Sequence, residues 1–157
     1  MMKLPRQLEN EGFESNVRAA LERESIELYR DSERYIPVLK LNPELRKHIF
    51  YAKSVGALIF GFEAIEEFLA NELQGLQKVD SLSDRVSRLL IVTNDGSHRF
   101  YRGLEFLQKR QGERVLLCWL DVDSVSMGNI LGFKGKQVKA VLLNRKKSVM
   151  NVLKSLL

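Results

Sequence analysis

The sequence predicts an α/β/α sandwich with a mostly parallel central sheet. Three observations point to it. From Pro43 onward, short apolar runs alternate with amphipathic segments. The runs near 58–59, 89–93, 115–120 and 139–144 have strand length. Turn residues such as Asn94-Asp95-Gly96 and Gly132 to Gly135 punctuate them. Residues 1–41 form a partly helical N-terminal extension, and 42–157 form the domain proper. The extension is too short to hold much core alone. A chain of 157 residues with 45% hydrophobic content suits one domain, or one domain with such an extension.

The elements follow in order. Residues 15–30 read as an amphipathic helix with Val17, Ala20, Leu21 and Leu28 near one face. Tyr35 to Lys40 is short and extended, and Pro37 makes it an edge strand or a connection. Asn42 is placed to cap a helix with Pro43 at its first position and Glu44 in its first turn, and Gly56 to stop it. A second helix starts after Gly61 and turns Phe62, Ile65, Phe68 and Leu69 inward. Residues 73–87 read as a polar connection. Arg88 to Thr93 is a buried strand running into a turn. A helix over 97–111 and a buried strand over 115–120 come next. Ser124 or Ser126 caps a short helix that ends at Gly132. Ala140 to Leu143 is the last strand and Ser148 to Leu157 the last helix.

Composition narrows the setting. The single Cys118 excludes an internal disulfide framework and suits a reducing, cytoplasmic environment. No apolar run reaches the roughly 20 residues of a membrane helix, and acidic residues follow Met1 to Arg6 where a secretion signal would be apolar. The net charge of +5 is uneven. Residues 1–45 sum to −2, 46–98 to −1 and 99–123 to +1. Residues 124–157 carry seven basic and no acidic side chains. That last stretch suits phosphate backbones or acidic proteins, and equally a plain solvated face.

Three blocks carry a pattern. The first is Ala52-Lys53 with Leu58, Ile59 and Gly61, followed by Phe62-Glu63-Ala64-Ile65-Glu66-Glu67. The second is Leu90-Ile91-Val92-Thr93-Asn94-Asp95-Gly96-Ser97. The third is Met127-Gly128-Asn129-Ile130-Leu131-Gly132. In order and spacing they resemble the ribosomal kink-turn-binding superfamily of L-seven-Ae and L-thirty-e proteins, closest to the bacterial YlxQ-like members. The resemblance covers 45–157, with a family glycine falling on Val55 or Gly56. It implies an L-thirty-e-like fold and a role in binding structured RNA in ribosome assembly or translation. It also implies that Gly61 lets the backbone approach RNA and that the helix N-terminus after it offers free N–H groups to bases and phosphates.

At the contact positions the chain departs from the family. Glu63, Ala64 and Glu67 stand where the family has Asn, Glu and Lys, the first two changes being shared with YlxQ-like members. The loop that holds the kinked nucleotide is Leu120-Asp121-Val122-Asp123-Ser124. Carboxylates facing phosphate repel it, although Glu63 and Glu67 also suit the positive end of a helix. The resemblance assigns RNA contact to Gly61, Phe62, Glu63, Glu67 and the loop Val122, Asp123 and Ser124. Lys53, Lys134, Lys136, Arg145, Lys146 and Lys147 would supply phosphate contacts.

Two other readings compete. Gly132-Phe133-Lys134-Gly135 is similar to the Gly-x-x-Gly loop of KH domains, which clamps single-stranded RNA. The reversed charges suit a protein–protein adaptor that kept the fold and lost the RNA site. No phosphate-loop lysine followed by Ser or Thr occurs. His48 and His98 lie far apart, Cys118 sits in an apolar strand, and Asp121 and Asp123 lack further ligands at useful spacing. The expectation is a non-enzymatic protein with no cofactor, metal or small-molecule substrate, partnered by structured RNA or by a protein and not by a membrane.

Overall fold

The computed structural model describes residues 2–32 and 34–157; Met1 and Glu33 lie outside the described residues. The protein is mixed α/β. Its strands are β1 (Ser25–Ile26), β2 (Ile36–Leu39), β3 (Leu58–Phe60), β4 (Arg88–Val92), β5 (Val115–Leu120) and β6 (Ala140–Leu143). They form one open six-stranded sheet in the order β1-β2-β5-β4-β6-β3. The helices are α1 (Arg6–Asn10), α2 (Glu14–Glu22), α3 (Pro43–Ser54), α4 (Phe62–Lys78), α5 (His98–Gln111), α6 (Ser124–Ile130) and α7 (Lys146–Lys154).

The four expected strands are present. The expected mostly parallel sheet is corrected to a mixed one. Only β2–β5 and β4–β5 are parallel, whereas β1–β2, β4–β6 and β3–β6 are antiparallel. The cause is the connection through α6, which returns β6 alongside β4 in the opposite direction. As a result β2, β3, β4 and β5 all end at one edge of the sheet, where β6 begins.

Alternate strand residues sort into two separate cores, as a period of two requires. Leu89, Ile91, Cys118, Leu120, Val141 and Leu143 join Leu45 and Ile49 of α3, Met127 and Ile130 of α6, and Val149, Val152 and Leu153 of α7. Leu90, Val92, Leu117, Ala140 and Leu142 join Ile65 and Leu69 of α4 and Tyr101, Leu104 and Leu107 of α5. The described residues before α3 contribute to both. Leu4, Leu8, Val17, Leu21 and Leu39 enter the first core, and Leu28 and Ile36 the second.

Three local expectations change. The single helix over 15–30 stops at Glu22, and Ser25–Ile26 pairs with Ile36–Pro37 as a short strand. Pro37 lies in β2 between two neighbouring strands, not on an edge. It is tolerated because β2 pairs with β5 only from Val38 onward. The connection over 73–87 is helical as far as Lys78. Elsewhere the caps are those expected: Asn42 Oδ1 accepts the Leu45 N–H at 2.8 Å, with Pro43 at the first helical position. At α6 the cap is Asp123, not a serine. Its Oδ1 accepts the Ser126 N–H at 2.7 Å.

Candidate nucleic-acid interface

The sheet edge where β3, β4 and β5 end gathers most of the residues the sequence singles out. After β3 the chain turns at Gly61, with φ +90°, into α4. Its N–H is held by the Ala140 carbonyl at 3.1 Å. Phe62 is half-buried, its ring 6.1 Å from that of Phe100. Ile65 and Leu69 anchor α4 in the core, which leaves Glu63, Glu66 and Glu67 exposed. None of these three glutamates has an ion-pair partner among the described residues.

The turns after β4 and β5 are tied together by a carboxylate that the sequence marked only as part of a turn. Asp95 accepts from the Ser124 N–H at 3.0 Å, the Ser124 hydroxyl at 2.7 Å and the Thr93 hydroxyl at 2.8 Å. Desolvation pushes its pKa up, but these hydrogen bonds outweigh it and hold the carboxyl below its ordinary value. The Asn94 amide donates to Asp121 at 3.1 Å, and the Asn94 N–H to the Val122 carbonyl at 2.9 Å. Val122 is half-buried and Ser124 buried, so of the loop only Asp121 and Asp123 present charge to solvent.

Beside this acidic rim lies a basic and aromatic corner. α6 ends in a Schellman motif, in which the Gly132 N–H bonds the Asn129 carbonyl and the Phe133 N–H the Gly128 carbonyl. That motif points Phe133 at Phe60, with ring centroids 5.1 Å apart. Lys136 Nζ stands 4.7 Å from the Phe60 centroid and 5.0 Å from that of Phe133. Lys53 Nζ reaches Phe133 at 4.7 Å. The rings hold both ammonium groups by cation–π attraction. Lys134 is exposed in the same turn, and Lys139 Nζ lies 5.9 Å from the Phe100 ring.

The structure separates what linear charge groups together. Lys134 and Lys136 precede β6, whereas Arg145, Lys146 and Lys147 follow it. The latter three therefore sit at the opposite edge of the sheet. There Lys146 lines a cleft of about 380 Å³ with Pro5, Arg6 and Arg85. The interface near Gly61 and Val122 thus gains Lys53, Lys134 and Lys136 but not the other three. The aromatic partners Phe60 and Phe133 carry no signal in a single sequence, because only folding places their segments together.

Comparison with protein-family models and with curated proteins finds no match for this chain. No helix is long and apolar enough to cross a membrane, and no group of three or more potential metal ligands occurs among the described residues.

Proposed function

We propose that the protein is a non-enzymatic, structured-RNA-binding component of ribosome assembly or translation, built as an L-thirty-e-like three-layer α/β/α sandwich. The two cores on alternate strand residues support the layering. The observation that carries the function is the corner formed by Lys53, Phe60, Phe133 and Lys136. It holds cations in place on aromatic rings beside an exposed turn, an arrangement that suits tracking of a phosphate backbone.

RNA then sits away from the kink-turn position. Glu63 and Glu67 are exposed at the inherited site, without an ion-pair partner among the described residues, so phosphate binds on the lysine side of the edge. Lys134→Ala with Lys136→Ala is expected to weaken binding to a structured hairpin RNA. The slope of log affinity against log salt should flatten by about 0.7 to 0.9 for each phosphate that the variant no longer neutralises. Arg145→Ala with Lys146→Ala removes the same charge at the far edge and should change the slope less. Fluorescence anisotropy across a salt series checks this. Equal effects from both pairs would mean that net charge, not the corner, drives binding.

The exposed acidic set Glu63, Glu66, Glu67, Asp121 and Asp123 supports a second reading, an adaptor that receives a basic protein. In that case Glu63→Ala abolishes binding of the partner and the lysine changes are silent. A KH-like grip on single strands uses the same Gly132–Gly135 turn. It is distinguished by preference for an unpaired oligonucleotide over the hairpin.

A further inference from the structure

We infer that the outer face of α5 is a second RNA-contact surface, an inference that rests on the RNA-binding reading above. Arg99, Arg102, Phe106 and Lys109 line one side of the helix, spanning about 15 Å at 1.5 Å per residue. With Tyr29, Gly103 and Glu105 they border a groove of about 380 Å³. Charge summed along the chain conceals this face. The stretch 99–123 sums to only +1 because Glu113, Asp121 and Asp123 offset it. α5 itself carries Arg99, Arg102, Lys109 and Arg110 against one acid, Glu105.

That acid is turned inward. Glu105 is 5% exposed and accepts from the Ser32 hydroxyl at 2.5 Å and the Tyr29 hydroxyl at 3.1 Å, with Lys109 Nζ at 3.6 Å. Arg99 and Arg102 are exposed and form no ion pair among the described residues. Their planar guanidinium groups suit bidentate contact with phosphate. Phe106 is 65% exposed between them and Lys109. Most of the ring stands in solvent beside the groove and between cations, which suits stacking of an unpaired base with its phosphates on the arginines.

The test uses the full chain and a fluorescent hairpin RNA with a single-stranded tail. Arg99→Ala with Arg102→Ala should flatten the salt slope by roughly 1.4, at about 0.7 per single-strand phosphate contact. Phe106→Ala should weaken binding about 5- to 150-fold with the slope unchanged. All three side chains are exposed, so thermal melting should stay near wild type. If the α5 variants bind like wild type while Lys134→Ala with Lys136→Ala weakens binding, the α5 surface is wrong and the sheet-edge reading stands. The reverse pattern keeps the α5 surface and removes the sheet edge. If the wild type ignores RNA yet binds a poly-glutamate peptide through Arg99 and Arg102, the surface serves an acidic protein and the inference falls. Binding to neither probe overturns both.

Discussion

Glu72→Ala should destabilise the fold by about 3–5 kcal/mol, because it leaves a buried guanidinium without its counter-charge. Arg114 is 3% exposed. Its guanidinium donates to Glu72 Oε1 and, at 2.5 Å, to Gln111 Oε1, while its Nε has no partner. Glu72 also receives Arg88 at 2.7 Å, so one carboxylate from α4 serves two arginines near the start of β4 and β5. For a domain of this size the destabilisation corresponds to roughly 6–20 °C in melting temperature. Glu72→Ala with Arg114→Met should recover most of it, since apolar replacement of a buried pair is close to neutral. Burial raises the Glu72 pKa, but the Arg88 and Arg114 hydrogen bonds outweigh it and the folded value is lowered. The contribution is therefore complete above the ordinary Glu value of about 4.3, and is lost as pH falls through the lowered folded value. A shift below about 2 °C for Glu72→Ala, the change expected of less than 1 kcal/mol, would show that the network does not hold the fold.

Gly128→Ala should damage both stability and RNA binding. A Cβ at this position would lie 1.9 Å from the Lys136 carbonyl oxygen and 3.1 Å from its carbon. Both are backbone atoms, so the 132–139 turn must move. The cost is about 1–3 kcal/mol or more. The same movement displaces Lys136 from Phe60 and breaks the Phe133 N–H bond to the Gly128 carbonyl. Gly75 is the internal control. It lies in α4 with nothing within 4 Å of an added Cβ, so Gly75→Ala should stabilise by roughly 0.5–1 kcal/mol. Calorimetry and hairpin binding on the two variants separate a general helix effect from the contact at Lys136. Unchanged affinity in Gly128→Ala would detach that turn from the binding surface.

The strands β3 to β6 and the cap of α3 were legible because their signals are local: continuous apolar runs, Asn42 before Pro43, and Gly61 before an amphipathic stretch. What escaped depends on partners distant in sequence. Leu28 keeps helical spacing with Leu21, yet the two enter different cores, because pairing of Ser25–Ile26 with β2 carries the chain across the sheet. Helical periodicity cannot register that override. The mixed sheet escaped for a similar reason, since an apolar run does not state its direction. Gly61, Val122 and Lys136 lie at the same end of the sheet, with β4 and β6 between the strands that lead to Gly61 and Val122. Arg145 to Lys147 do not, because the four residues of β6 carry them to the other edge. The role of Asp95 as a tie between two turns had a faint signal in Thr93-Asn94-Asp95-Gly96, but its partner Ser124 emerges only when β4 and β5 pair.

On the proposed reading, RNA binds the lysine and aromatic corner and not the acidic position at Glu63 and Glu67. The most direct measurement is a salt-titrated affinity of the wild-type chain for a kink-turn, a hairpin and a plain duplex, repeated for Glu63→Asn with Glu67→Lys. Salt-dependent binding to the hairpin is expected, with a slope of at least about 1.4, corresponding to two phosphate contacts. Weak or no binding to the kink-turn is expected, and a gain for the kink-turn in the double variant, which removes two repulsive charges and adds one attractive one. Nanomolar binding of the wild type to the kink-turn at physiological salt, or no salt-dependent binding to any of the three RNAs, would overturn that reading.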